Sequence, residues 1–277
     1  MEQIIIAALS TLTPNQFSDL TQSLSSDFRL QHHRHCSLLL SPTRFSHTLY
    51  FLNSLTLHQK ASLIARYFLT TLKKLTFVWD CTQHTPTTTT TVHGPMRLRD
   101  FDAVLLLMLL CEVSQHNSDA LEISSTKWID VLKHYTLNNM FTLWGIGASS
   151  ATILSKYIDI ATGCWRFLDA TGCGANMERE VSTSAAAVIS LPSVEVCGGG
   201  MSTSECVICM EEMNQGRDVC QLPCQHTFHW LCVLPWLKKR NTCPCCRFQL
   251  PTDDVFGEIE RLWGILAKKG RGNLCDF

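Results

Sequence analysis

Apolar residues recur at intervals of three and four along most of the first 165 positions, the spacing of one face of an α-helix. Phe17, Leu20, Leu24 and Phe28 follow Thr13-Pro14-Asn15-Gln16, which reads as an N-cap, a first-turn proline and a capping-box glutamine. Ser41-Pro42 opens a second helix, with Phe45, Leu49 and Leu52 on one face. A third covers 57–75, striped by Ile64, Phe68, Leu72 and Leu75. The pattern resumes over 99–113, 126–135 and 148–161. No strand-like alternation interrupts it. The pattern predicts a helical domain over 1–168, split at 85–92 by a threonine-rich loop in which Pro86 precedes Thr87 to Thr91.

The periodicity then stops. Residues 169–204 are rich in Gly, Ser, Thr and Ala, with Gly172, Gly174 and the run Gly198 to Gly200, a composition that predicts a flexible linker. Helical spacing returns at the far end, where Val255, Ile259, Leu262 and Leu266 form a stripe. Thr252 is the expected cap, Asp253 and Asp254 fall in the first turn, and Lys268, Lys269 and Gly270 close a helix over 252–269.

Charge removes several classes. The chain has 277 residues, 23 Lys+Arg and 24 Asp+Glu, for a net charge of -1. That is not the balance of a basic nucleic-acid binder or an acidic tail. Its 45% apolar share is ordinary for a globular chain. The longest apolar run, Ala103 to Cys111, is far short of the roughly 20 residues that span a bilayer, so no transmembrane segment is expected. Glu2 stands where a secretory signal would be positive. The first fifty residues are rich in Ser and Thr and carry Arg29, Arg34 and Arg44, which leans toward a transit peptide, while Asp19, Asp27 and the helix caps lean against one.

The cysteines change the picture most. There are 15, and eight of them lie between Cys206 and Cys246. An odd count without a secretory signal argues against a disulfide framework. The segment reads Cys206-x2-Cys209, fourteen residues, Cys224-x-His226-x2-His229-x2-Cys232, ten residues, Cys243-x2-Cys246. These are eight soft or borderline ligands in four close pairs. Zinc in a closed structural site takes four, so the set fits two Zn2+ ions with no open position for metal-based catalysis. Cys220 makes no x2 pair and Cys243-x-Cys245 would need a tighter turn, so both are left out. A second group, His32, His33, His35 and Cys36, has no further pair nearby in sequence. A solvated basic stretch is the favoured reading there over a metal site.

The eight-ligand pattern, with histidine at the fourth and fifth positions, resembles a RING finger. LPCQHTFHWLCVLPWLKKRNTCPCCRFQLPTDD, Leu222 to Asp254, is similar to the RING module of plant ubiquitin ligases, and the lead-in AAAVISLPSVEV, Ala185 to Val196, looks like one many of them carry. HHRHCSLLLSPTRFSHTLYFLNSLTLHQKASLIARYFL and DVFGEIERLWGIL resemble a group of plant ubiquitin ligases associated with amyloplasts and shoot gravitropism. The architecture so implied is mainly α. A helical N-terminal domain that recruits substrate or organelle (1–168) is followed by the linker (169–204), a small cross-braced RING zinc finger (205–250) and a C-terminal helix (252–269).

The resemblance also implies roles. Cys206, Cys209, His229 and Cys232 would hold the first zinc, and Cys224, His226, Cys243 and Cys246 the second. The chain would be a RING-type E3 ubiquitin transferase with no covalent ubiquitin intermediate of its own. It would bind a ubiquitin-loaded conjugating enzyme and promote transfer to substrate lysines by positioning. Ile208, Trp236 and Pro244 would form the conjugating-enzyme face, and Arg247 would be the linchpin whose guanidinium bonds two partners at once. Internal packing is the alternative for Ile208 and Trp236, and a solvated side chain for Arg247. Expected partners are a conjugating enzyme, ubiquitin and a protein substrate, but no nucleic acid, since 205–254 holds six acidic against five basic residues. The expected location is cytosol-facing, at the plastid or amyloplast surface. The competing function is a zinc-stabilised interaction scaffold without transfer, which would have no use for the Arg247 position.

Overall fold

The computed structural model describes residues 1–80, 96–116, 122, 124, 127–143, 150–172, 180–194, 205–213 and 218–272, the side chains of 137–143 and 272 excepted. The threonine-rich loop expected at 85–92 lies outside these residues. The chain divides into two compact units. One comprises 1–78, 96–175 and 266–277, the other 79–95 and 176–265.

The first unit is helical. It contains α1 (Glu2–Leu9), α2 (Pro14–Leu40), α3 (Pro42–Ser54), α4 (Leu57–Thr76), α5 (Leu98–His116), α6 (Trp128–Leu143) and α7 (Ser150–Ala170). The start signals act as read. Thr13 and Gln16 form a reciprocal capping box with Pro14 in the first turn, Ser41 Oγ accepts from Arg44 N, and Thr56 with Gln59 makes a second box. α2 continues through the histidine-rich stretch to Leu40, and α7 runs on to Ala170, both longer than their apolar stripes indicated. α1 was not foreseen, because MEQIIIAALS lacks a capping signal and its helix has no side-chain cap.

α4 packs on α7 and α5, and α2 on α7, α3 and α5. One core joins Leu38 and Leu39 of α2, Phe45, Leu49 and Leu52 of α3, Leu106, Leu109 and Val113 of α5, and Leu132 of α6. Arg44 of α3 locks onto α5 through Asp102, with Nε at 2.9 Å from Oδ2 and Nη2 at 2.8 and 2.6 Å from the two oxygens. Planar bidentate pairing of this kind fixes orientation as well as distance. The His32 to Cys36 group is not the solvated stretch expected. On α2, His32 Nε2 lies 3.3 Å from Cys36 Sγ, and the His35 Nε2 atom is buried without a hydrogen-bond partner among the described residues.

The second unit is built from short elements: α8 (Ala185–Ile189), β1 (Ser193–Val194), β2 (Glu205–Cys206), β3 (Glu211–Glu212), β4 (Val219–Gln221), β5 (Thr227–His229) and α9 (Trp230–Leu237). β1, β4 and β5 form an antiparallel sheet in that order, and β2 pairs with β3. α10 (Val255–Gly272) begins in this unit. The expected C-terminal helix over 252–269 is therefore shifted. Asp254, not Thr252, is its cap, since Asp254 Oδ1 accepts from Gly257 N at 2.8 Å while Thr252 Oγ1 accepts from Asp254 N at 3.1 Å.

The linker reading of 169–204 needs correction over 180–194. That segment carries α8 and β1, Ser193 and Val194 pair with Cys220 and Val219, and Leu191 is buried in the same core as Val219, Phe228 and Val233. Gln221 N donates to Pro192 O at 3.2 Å, and Trp230 Nε1 donates to Ser193 Oγ at 3.0 Å. Main-chain groups do most of this work, so a Gly-, Ser- and Ala-rich composition gives no hint of it. Residues 173–179 and 195–204 lie outside the described residues.

Candidate functional site

The β4–β5 hairpin and α9 bring the cysteine and histidine pairs together. Leu222 N donates to His226 O and Gln225 N to Leu222 O, a tight turn that presents Cys224 and His226 side by side. β5 ends at His229, and α9 starts at once, so Cys232 falls one turn from His229. Met210 N donates to Cys206 O at 2.7 Å, and Arg247 N to Cys243 O at 3.0 Å. Each bond closes a Cys-x2-Cys loop so that both sulfurs face one point.

Two tetrads result. The ligand atoms of Cys206, Cys209, His229 and Cys232 all lie within 4.8 Å of one another, as do those of Cys224, His226, Cys243 and Cys246. The order along the chain interleaves: the first and third pairs form one group, the second and fourth the other. His229 Nδ1 lies 3.4 Å from Cys209 Sγ, and His226 Nδ1 lies 3.4 Å from Cys224 Sγ, so each imidazole turns a ring nitrogen toward its thiols.

The electrostatics of the thiols ask for a cation. Burial raises the Cys206 thiol, but the N–H groups of His229, Ile208 and Cys209 outweigh it and hold it below its ordinary value. The N–H of Phe248 does the same for Cys246. Burial, aided by Cys209 and Cys206, pushes Cys232 up to about 11. Burial, with Cys243 and Cys246 beside it, pushes Cys224 up to about 12. Within each tetrad, one ionised thiol thus opposes ionisation of the next. A divalent ion at the centre removes that conflict, and three thiols with one imidazole per group is a donor set that zinc favours.

Among the described residues, three other than glycine have a left-handed backbone: Met210 at φ 59°, Gln225 at φ 67° and Arg247 at φ 58°. Each directly follows a tetrad cysteine, Cys209, Cys224 or Cys246. The chain must turn sharply there to leave the ligand, and L side chains resist this conformation by about 1–2 kcal/mol.

The remaining predicted site residues occupy distinct settings. Ile208, between the first two cysteines, is 40% exposed. Trp236 is half-buried, and its Nε1 donates to Thr242 O at 2.6 Å. The Arg240 guanidinium sits 5.3 Å from the Trp236 ring centroid. Pro244 is half-buried, and Arg247 is exposed. Cys220 is fully buried in the β4 core and Cys245 is exposed, and neither joins a tetrad. Among the described residues no helix is long and apolar enough to cross a membrane.

Residues 204–247 match the Ring finger domain family. The chain is 45% identical over 276 residues to "E3 ubiquitin-protein ligase SGR9, amyloplastic" of Arabidopsis thaliana, covering 96% of this chain and 95% of that protein. Two further relatives align over about a quarter of this chain. "E3 ubiquitin-protein ligase RING1-like" of Arabidopsis thaliana is 48% identical over 73 residues, 26% of this chain and 22% of its own. "E3 ubiquitin-protein ligase RNF181" of Xenopus laevis is 49% identical over 67 residues, 24% and 43% respectively. With two interleaved Cys/His tetrads and an alignment running nearly end to end, the chain belongs to the RING-type E3 ubiquitin-protein ligases.

Proposed function

We propose that this ligase grips two Zn2+ ions in a cross-brace, Cys206, Cys209, His229 and Cys232 on one and Cys224, His226, Cys243 and Cys246 on the other, and that the folded module docks a ubiquitin-loaded conjugating enzyme. The metal is structural: all four positions of each ion are filled by protein, so no coordination site is left for a reacting water. Ile208, Trp236 and Pro244 form the docking face, and Arg247 is the linchpin. The carrying observation is the backbone of Arg247. It is left-handed at the turn out of Cys246, and the residue is exposed. A guanidinium presented there can bond carbonyls of enzyme and ubiquitin together. That holds the thioester in one arrangement for attack by a substrate lysine, a gain of orientation rather than of new covalent chemistry.

The helical unit serves recruitment of a protein substrate or an organelle surface. The amyloplastic designation of the relative aligned over nearly the whole chain supports a plastid setting, with the RING facing the cytosol where ubiquitin and its enzymes reside.

Self-ubiquitination tests the reading. The full chain, mixed with activating enzyme, a panel of conjugating enzymes, ubiquitin and ATP, should yield ladders. Cys206→Ser should abolish them with loss of zinc, and Arg247→Ala should reduce them with zinc retained. Ladders of undiminished intensity from Arg247→Ala would remove the linchpin role. Protease protection of the tagged chain on isolated plastids tests the location: a RING resistant to added protease would place it inside and overturn the cytosol-facing reading.

A further inference from the structure

We propose that Thr183 is a positioning residue for ubiquitin transfer, setting the end of α9 and thereby the orientation of Trp236. Thr183 precedes the stretch matched by the Ring finger family, 204–247, and its hydrogen bonds go to Leu237 and Arg240, neither of them a candidate metal ligand. Its N–H donates to Leu237 O at 2.9 Å, and its Oγ1 donates to Arg240 O at 3.2 Å. The last carbonyls of a helix have no donor one turn further on, so the end of a short helix frays unless something outside it supplies one. Thr183 supplies two, on either side of the turn that follows Trp236.

The neighbouring residue completes the clamp. Ser184 N donates to Pro251 O at 2.9 Å, on the segment that follows the last cysteine pair. Leu250 is tied back to the same turn, with its N donating to Asn241 O at 2.6 Å and its O accepting from Asn241 Nδ2 at 3.1 Å. Two adjacent buried residues, Thr183 and Ser184, therefore fasten the end of α9 to the chain behind it. Trp236 is bonded to Thr242 O within this turn. A second, outer connection runs from Glu180 through Arg240 to Trp236. Arg240 donates to Glu180 Oε1 from Nε at 3.1 Å and from Nη2 at 2.6 Å, and its guanidinium lies over the indole. This outer pair is exposed and contributes little by itself. The threonine bonds carry the argument, because Thr183 itself is buried and a donor held away from water cannot exchange a lost partner for solvent.

The inference rests on Trp236 being part of the conjugating-enzyme face, and the experiment separates the two claims. In the full chain, Thr183→Val keeps shape and the main-chain N–H but loses the hydroxyl bond, and Thr183→Ser restores it. Two quantities are read: affinity for a conjugating enzyme selected for activity with the wild-type chain, and the indole 1H–15N resonance of Trp236, assigned by its disappearance in Trp236→Phe. Thr183→Val should bind the enzyme about five- to tenfold more weakly, because docking must then order the end of α9 without that hydrogen bond. It should also shift the Trp236 resonance and keep full zinc content, and Thr183→Ser should recover both readings. The resonance reports the folded molecules alone, so a loss of stability without reorientation would leave it in place. An unmoved resonance with wild-type affinity overturns the proposal. A Thr183→Val protein without zinc would assign the residue to folding of the module and overturn it equally. If Trp236→Ala binds the enzyme as wild type does, the docking-face reading fails, whatever Thr183 does to the indole.

Discussion

Arg261 on α10 and Asp80, 181 positions earlier, meet as a two-pronged pair, with Nη1 at 3.2 Å from Oδ1 and Nη2 at 2.8 Å from Oδ2. Glu258 takes the other side of the guanidinium, accepting from Nε and Nη2 at 2.9 and 2.8 Å, and also accepts from Thr252 N at 3.1 Å. The three side chains are 3%, 1% and 4% exposed. Burial alone would lower the Arg261 pKa, but the hydrogen bonds and charges of Glu258 and Asp80 raise it above its ordinary value.

One cation between two anions makes the three partners unequal. Arg261→Met leaves two carboxylates buried without their counter-ion and should destabilise by about 3–5 kcal/mol. Asp80→Asn leaves Arg261 with Glu258 and retains one acceptor, so it should cost about 1–2 kcal/mol. Thermal melts of both variants check the order. A larger loss for Asp80→Asn would contradict the charge argument.

Arg247 separates folding from transfer. Replacing it with glycine relieves a left-handed conformation that costs an L residue about 1–2 kcal/mol, so the melting temperature of Arg247→Gly should match or exceed wild type. Transfer should fall roughly 10- to 100-fold, the loss of charge-assisted bonds each contributing about 1.5–3 kcal/mol. Discharge of a ubiquitin-loaded conjugating enzyme, measured beside the melt, reads both. Gln225→Gly, with the same backbone and no assigned role in transfer, should keep its rate.

Metal stoichiometry distinguishes the thiols. Elemental analysis should find two zinc equivalents in Cys245→Ser, whose thiol is exposed and outside both tetrads. Cys243→Ser should lower that number and lose the module's cooperative unfolding, since metal binding in so small a unit is coupled to folding. Cys220→Ala should keep both ions and lose about 1–2 kcal/mol from its buried position in β4.

His35 predicts a pH response in the helical unit. Burial first, then the neighbouring His32, lower its pKa from 6.5 to about 4. The unfolded chain therefore binds a proton that the folded one refuses between those values. The stability contributed by neutral His35 is complete above pH 6.5 and is lost progressively as pH falls toward 4. Far-ultraviolet melts from pH 7 to 4.5 should show a smaller decline for His35→Leu than for wild type. Equal slopes would show that the ring is solvated.

What could be read from residues alone follows physical type. Cys and His pairs separated by one or two residues, Thr13 with Gln16, and the stripe from Ile64 to Leu75 are signals carried by side chains, and the structure brings the first into two clusters and uses the caps and the stripe in place. What escaped is carried by main-chain groups or by distant partners. Thr183 and Ser184 act largely through N–H groups that every residue except proline possesses. Asp80 lies 181 positions from Arg261 in sequence, so no local pattern marks it. α10 was displaced by three residues at its start because Thr252 and Asp254 are both good caps, and the choice fell to which of them meets the Gly257 amide.

The Asp80 contact bears on how such ligases can be recombined. The unit that carries the RING is not one uninterrupted stretch of polypeptide, since it borrows an acid from the sequence between α4 and α5. Transplanting 180–265 onto a foreign recruiter would leave Arg261 one counter-ion short, so a chimera needs either that acid supplied in trans or an apolar replacement for the arginine. Exchange of recruiters among relatives is accordingly easiest between chains that keep both halves of the pair.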